Sequence, residues 1–180
     1  MPHDERLPSA AARSRAARFR IGAGFALVLA ITVGARTYGI ESESIWFDEG
    51  VSVQFLERPT FTEFIQAERT ADKLKMPLYF VAEYYWWHAT GRTITALRYL
   101  SVLVAAATVT VLFLFTRRLW GAYAGLIAAF CFALSKTHVF HGQEIRMYGI
   151  MYLLALLSWY ALYLARGGNR RAWILHVVCN

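Results

Sequence analysis

The chain has 180 residues, 57% of them hydrophobic and 16% aromatic, with a mean hydropathy of +0.36. Only 17% are charged, against roughly 25% in soluble domains, and the apolar residues gather into runs as a bilayer requires; an ordinary soluble globular domain is excluded. The net charge of +7 lies in short groups between those runs, which fits membrane orientation and argues against a nucleic-acid partner.

Residues 1–20 form a basic, Ala-rich tail with Arg6, Arg13, Arg15, Arg18 and Arg20. Residues 21–35 carry no charge. With their flank to 36 they predict a short first span, since about 20 residues at ~1.5 Å each cross a ~30 Å core. A cleaved signal peptide, with small residues near Gly34 and Ala35, is the competing reading. Residues 37–98 change character: charges return and Pro59 and Pro77 interrupt the pattern. Short amphipathic pieces occur at Val51–Leu56, Phe61–Glu68 and Pro77–His88. The last carries Tyr79, Phe80, Tyr84, Tyr85, Trp86 and Trp87 around Glu83, a composition suited to the membrane–water interface. This region predicts a large outer loop containing interfacial helices.

Residues 99–116 predict a second span, ended by Arg117 and Arg118. Residues 119–135 predict a third, with Gly121 and Gly125 permitting close helix approach. A short polar loop leads to a fourth span over 146–165, closed by Arg166, Arg170 and Arg171. Residues 172–180 read as the start of a truncated fifth span. Cys131 and Cys179 lack metal-ligand spacing and read as small buried apolar residues. The arginine-bearing turns and the tail fall on one side, the large loop and residues 135–144 on the other. The positive-inside rule puts the arginines in the cytoplasm. The expectation is an all-α, polytopic protein of the cell inner (plasma) membrane, with a cytoplasmic N-terminus and a periplasmic first loop.

Candidate chemistry sits in that loop and at the start of the fourth span. Trp46-Phe47-Asp48-Glu49-Gly50 places adjacent carboxylates among apolar residues, where a raised pKa makes a better base; two solvated loop acids are the plain alternative. Gln143-Glu144-Ile145-Arg146-Met147-Tyr148 puts an arginine near a helix N-terminus, a favourable phosphate cradle, or a snorkelling side chain. Glu144 and Arg146 are two apart and do not face each other on a helix, so they take separate roles. His138, His141 and Glu144 recur every three residues and leave a divalent metal open, though the ligand set is loose. In Lys75-Met76-Pro77-Leu78-Tyr79, Pro77 suits a first helical position and Lys75 reads as a head-group contact or an exposed lysine. Arg98 tops the second span, where snorkelling is its plain role.

These elements, with Pro77-Leu78-Tyr79-Phe80 followed by Trp87, Ala96-Leu97-Arg98 with Ser101, and Arg117-Arg118-Leu119-Trp120-Gly121, occur in order. Together they resemble the N-terminal part of membrane glycosyltransferases of the GT-C fold, in particular the family-39-like group of lipopolysaccharide sugar transferases and protein O-mannosyltransferases. The resemblance runs from about residue 21 to 165. It departs at Lys75-Met76, where His-Pro is common, and at His141, where Tyr is common. It implies a GT-C-type transmembrane bundle and inverting transfer of a sugar from a polyprenyl-phosphate donor to a hydroxyl on a lipid, glycan or protein. It further implies Asp48 as the catalytic carboxylate with Glu49 beside it. Glu144, Arg146, Lys75, Tyr79, Gln143, Tyr148 and Arg98 are then the substrate-binding residues. A transporter would carry ionisable groups near mid-bilayer, whereas here they gather at one interface. A non-catalytic truncated fragment is the remaining alternative.

Overall fold

A computed structural model describes residues 10–42, 44–71 and 77–179. Among them every regular element is an α-helix: α1 (Ala10–Thr37), α2 (Phe47–Leu56), α3 (Phe61–Ala71), α4 (Pro77–Ala89), α5 (Ile94–Trp120), α6 (Ala122–Leu134), α7 (Lys136–His141), α8 (Tyr148–Arg166) and α9 (Arg170–Val178). Local chemistry sets many of these ends. The Thr93 hydroxyl accepts the Ala96 N–H at 3.2 Å and opens α5. Gly121, at φ 90°, adopts a left-handed backbone that a side chain disfavours and breaks α5 from α6. Pro77 starts α4, where its missing N–H costs nothing. Asn169 caps α9 by accepting the Arg171 N–H.

Three stretches among the described residues are long and apolar enough to cross a bilayer: Ser14–Thr37, Ile94–Trp120 and Tyr148–Arg166, of 24, 27 and 19 residues. At 1.5 Å per residue they extend about 36, 40 and 28 Å. Large apolar side chains on them stand exposed, among them Leu27, Val33, Leu103, Leu114, Met151 and Trp159. Such a surface is stable against lipid and unfavourable in water. The chain is a helical membrane protein.

The expected boundaries shift in places. The basic residues from Ala10 onward form the first turns of α1 rather than a separate tail. Of the segment 119–135, Leu119 and Trp120 end α5 and the rest yields only the 13-residue α6, about 20 Å long and shorter than a bilayer core. The fourth span starts at Tyr148, so Glu144 and Arg146 precede it in a turn. Residues 172–178 belong to the nine-residue α9, folded back on α8 through the Ser158 and His176 side chains, 2.9 Å apart. Cys131 is exposed and Cys179 half-buried, not buried as expected, because among the described residues no helix covers the outer face of α6 or the end of α9.

Antiparallel packing brings one set of helix ends together. Phe25 of α1 stacks on Phe113 of α5 at 4.4 Å, with Val28, Val109, Ala129 and Ala133 completing a core of α1, α5 and α6. Phe115 of α5 meets Tyr160 of α8 at 5.3 Å. A second core joins α2–α5 through Leu56, Phe64, Tyr79, Phe80, Tyr84, Trp87 and Leu97, and takes in Ile145. Buried Arg36 donates to the Thr32 and Ala133 carbonyls, each at 3.1 Å. It thereby places a cation at the C-terminal ends of α1 and α6, where the helix dipoles favour one. Arg117, Arg118, Arg166, Arg170 and Arg171 gather at the other end.

Close approach of α5 and α6 depends on Gly125, where a Cβ would lie 2.9 Å from the Phe113 carbonyl oxygen. Backbone cannot yield as a flexible side chain does. Gly125→Leu should destabilise the protein by about 1–3 kcal/mol, read as a lowered melting temperature in detergent. An unchanged melting temperature would show that the two helices part at no cost.

Candidate functional site

Asp48 and Glu49 occupy the first turn of α2. Successive helical residues point about 100° apart, so the adjacent acids separate. Glu49 turns inward and is 1% exposed. Its Oε2 accepts the Trp46 N–H at 3.1 Å and its Oε1 accepts the Ile145 N–H at 2.7 Å. Arg98 Nη2 lies 3.6 Å from Oε2, and Arg98 Nη1 donates to the Ile40 carbonyl at 2.5 Å. Arg98 therefore does not snorkel outward. It is buried, because the Glu49 carboxylate and the Ile40 carbonyl draw it into the protein.

Asp48 turns outward, its side chain 63% exposed. Its Oδ2 lies 3.3 Å from Nη2 of Arg146. Two anchors hold the turn that carries Arg146: Ser101 of α5 donates to the Glu144 carbonyl at 2.6 Å, and the Ile145 N–H binds Glu49. With Ile145 in the core, the flanking side chains diverge. Glu144 meets His141 Nδ1 at 2.9 Å. Arg146 reaches Asp48 and stands 6.0 Å from the Tyr148 ring centre. Gln143 Nε2 donates to the Tyr38 carbonyl at 3.0 Å. Lys75 lies outside the described residues.

An exposed ion pair contributes little stability. The Asp48–Arg146 contact is consequently easy to exchange for another anion on the arginine, whereas the Glu49 contacts are part of the fold. Tyr79 is buried and lines with Ser52, Phe80, Ile145, Arg146 and Met147 a cavity of about 10 Å³. That volume is near the minimum for one water-sized group. The Tyr79 hydroxyl and Oε1 of Glu83 form a hydrogen bond at 3.0 Å. Burial, reinforced by Glu68, pushes the Glu83 carboxyl up to about 8, against the opposing pull of Tyr79 and Arg146. Burial and Glu83 likewise raise the Tyr79 phenol.

His138 diverges from His141 and Glu144. Its ring stacks on Phe132 at 3.9 Å, and burial, then Arg36 and His141, lower its pKa. Among the described residues no group of three or more His, Cys, Asp or Glu side chains is arranged to hold a metal ion. Sequence patterns gave Ser101 and Glu83 no role at the site. Only the Tyr79–Glu83 spacing of four marks the latter. No protein-family model matches the chain, and no curated protein or solved structure resembles it significantly.

Glu49→Ala would strip a buried guanidinium of its carboxylate and should cost about 3–5 kcal/mol, seen as a large drop in melting temperature. Asp48→Ala should leave the melting temperature unchanged, and equal losses from both would contradict the division between them. The pH dependence follows from Glu83. Below about 4.5 both folded and unfolded chains hold its proton, and between about 4.5 and 8 only the folded chain does. Stability contributed by that proton is therefore lost as pH rises through this window. Thermal unfolding should show the decline in the natural chain and a flatter profile in Glu83→Gln.

Proposed function

We propose that this chain acts as a membrane glycosyltransferase of the GT-C type, which moves a sugar from a polyprenyl-phosphate donor to a hydroxyl-bearing acceptor. The observation that carries this reading is the Asp48–Arg146 pair, a base and an anion receptor 3.3 Å apart, contributed by separate elements and open to solvent. The three apolar helices support a substrate presented from the bilayer. The order of acidic, aromatic and arginine motifs supports the family.

In this mechanism the donor phosphate takes the place of Asp48 on Arg146, which frees the carboxylate. The acceptor hydroxyl attacks the anomeric carbon while Asp48 takes its proton. The new glycosidic C–O bond forms as the bond to the phosphate oxygen breaks. The departing electron pair stays on the phosphate, and Arg146 stabilises its charge. A single displacement inverts the anomeric centre. Glu49 and Arg98 hold the base and the Arg146 turn in register. Gln143, Glu144, Tyr148 and Lys75 are assigned to sugar and phosphate contacts. α2–α4 lie along the outer surface of the inner membrane, with the N-terminus and the arginine-bearing ends in the cytoplasm.

The test is transfer from labelled polyprenyl-phosphate sugars by membranes carrying the protein expressed from its complete reading frame. Asp48→Asn should abolish transfer, a loss of at least about 100-fold for a removed general base, while membrane insertion is unchanged. Normal turnover by that variant would remove Asp48 from the reaction, and no transfer by the natural protein from any such donor would sink the reading.

A further inference from the structure

Glu83 is fully buried and takes no part in the displacement above. It lies one turn from Tyr79 on α4, and its Oε1 meets the Tyr79 hydroxyl at 3.0 Å. Its Oε2 is buried with no hydrogen-bond partner among the described residues. Tyr79 in turn shares with Arg146 the wall of a small cavity. The charged groups that bear on this pair are Glu68 from α3, Arg146 from the turn before α8 and, for Tyr79, Glu49 from α2. A charged Glu83 would thus add a further carboxylate beside one arginine, which disfavours any incoming anion.

We propose that Glu83 is a positioning residue that directs the Tyr79 hydroxyl toward Arg146, so that phenol and guanidinium together receive the phosphate of a polyprenyl phosphate. The inference rests on the lipid-phosphate donor proposed above and adds the group that tunes its phosphate contact. A neutral carboxyl can donate its own hydrogen to the phenol oxygen, whereas a carboxylate only accepts. With Glu83 neutral, the phenol hydrogen is free for a phosphate oxygen. With Glu83 ionised, the carboxylate claims that hydrogen and the phosphate contact is lost. Burial keeps the neutral form up to about pH 8.

The test is binding of a polyprenyl monophosphate to the full chain in nanodiscs of zwitterionic lipid, at about pH 7 and about pH 9. The phosphate's second ionisation lies near ~6, so the ligand keeps a nearly constant charge. The natural chain should bind about tenfold more weakly at the higher pH, the effect of one charge-assisted hydrogen bond. Glu83→Gln keeps a donor for the phenol and cannot ionise. It should match the natural chain at the lower pH and show no fall at the higher. Tyr79→Phe should bind weakly at both, and this comparison carries the test if Glu83→Gln does not fold.

A Glu83→Gln protein with the natural pH dependence would overturn the inference. So would tight, pH-dependent binding by Tyr79→Phe, or no lipid-phosphate binding by the natural chain. Binding that follows the expected pH pattern without any sugar transfer would leave the inference standing and sink the transferase reading alone.

Discussion

The site end of the molecule depends on one buried carboxylate. Glu49 binds the backbone N–H that opens α2, the Ile145 N–H that precedes α8, and the guanidinium of Arg98 on α5. Arg98 extends the network to the Ile40 carbonyl beyond the end of α1. Segments far apart in sequence therefore meet on a single side chain. A buried charge persists only when paired and hydrogen-bonded, and here each Glu49 oxygen accepts a backbone N–H. The arrangement is costly to break, which is why it can define where less stable groups sit.

Those less stable groups are the ones suited to chemistry. Asp48 is covalently adjacent to Glu49 and energetically its opposite. The helix turn sends one acid into a low-dielectric anchor and the other into solvent against Arg146. A shared anchor on both sides keeps the exposed pair in register without making the pair itself strong. Exchangeable partners on a rigid frame are what recognition of a charged ligand requires.

Much of the helix content is legible in the residues. Pro59 and Pro77 punctuate the first loop, and the pieces they separate become α2, α3 and α4 within a few residues of the expected limits. The long apolar runs become α1, α5 and α8. The failures have physical causes. Hydropathy extends across Gly121 and Ser135, but the backbone breaks there and leaves α6 short. Adjacent acids look like a dyad until helical geometry separates them. Arg98 resembles a snorkelling cation because its carboxylate partner lies 49 positions earlier in the chain. Glu83 resembles the polar rim of an aromatic surface, since one helical run of rings gives no hint of which face is buried.

The turn that carries Arg146 is held from both ends, and this bears on how the arginine can act. At one end Gly142 lies over the buried Arg36, and a Cβ there would come within 2.6 Å of the guanidinium Nε. At the other, Ile145 is fixed by Glu49 through its backbone and by the aromatic core through its side chain. Ser101 binds the carbonyl between them. A turn so constrained carries its arginine at the position an arriving anion would meet. Little reorganisation is then needed on binding, the condition under which a fixed cation stabilises developing charge most effectively.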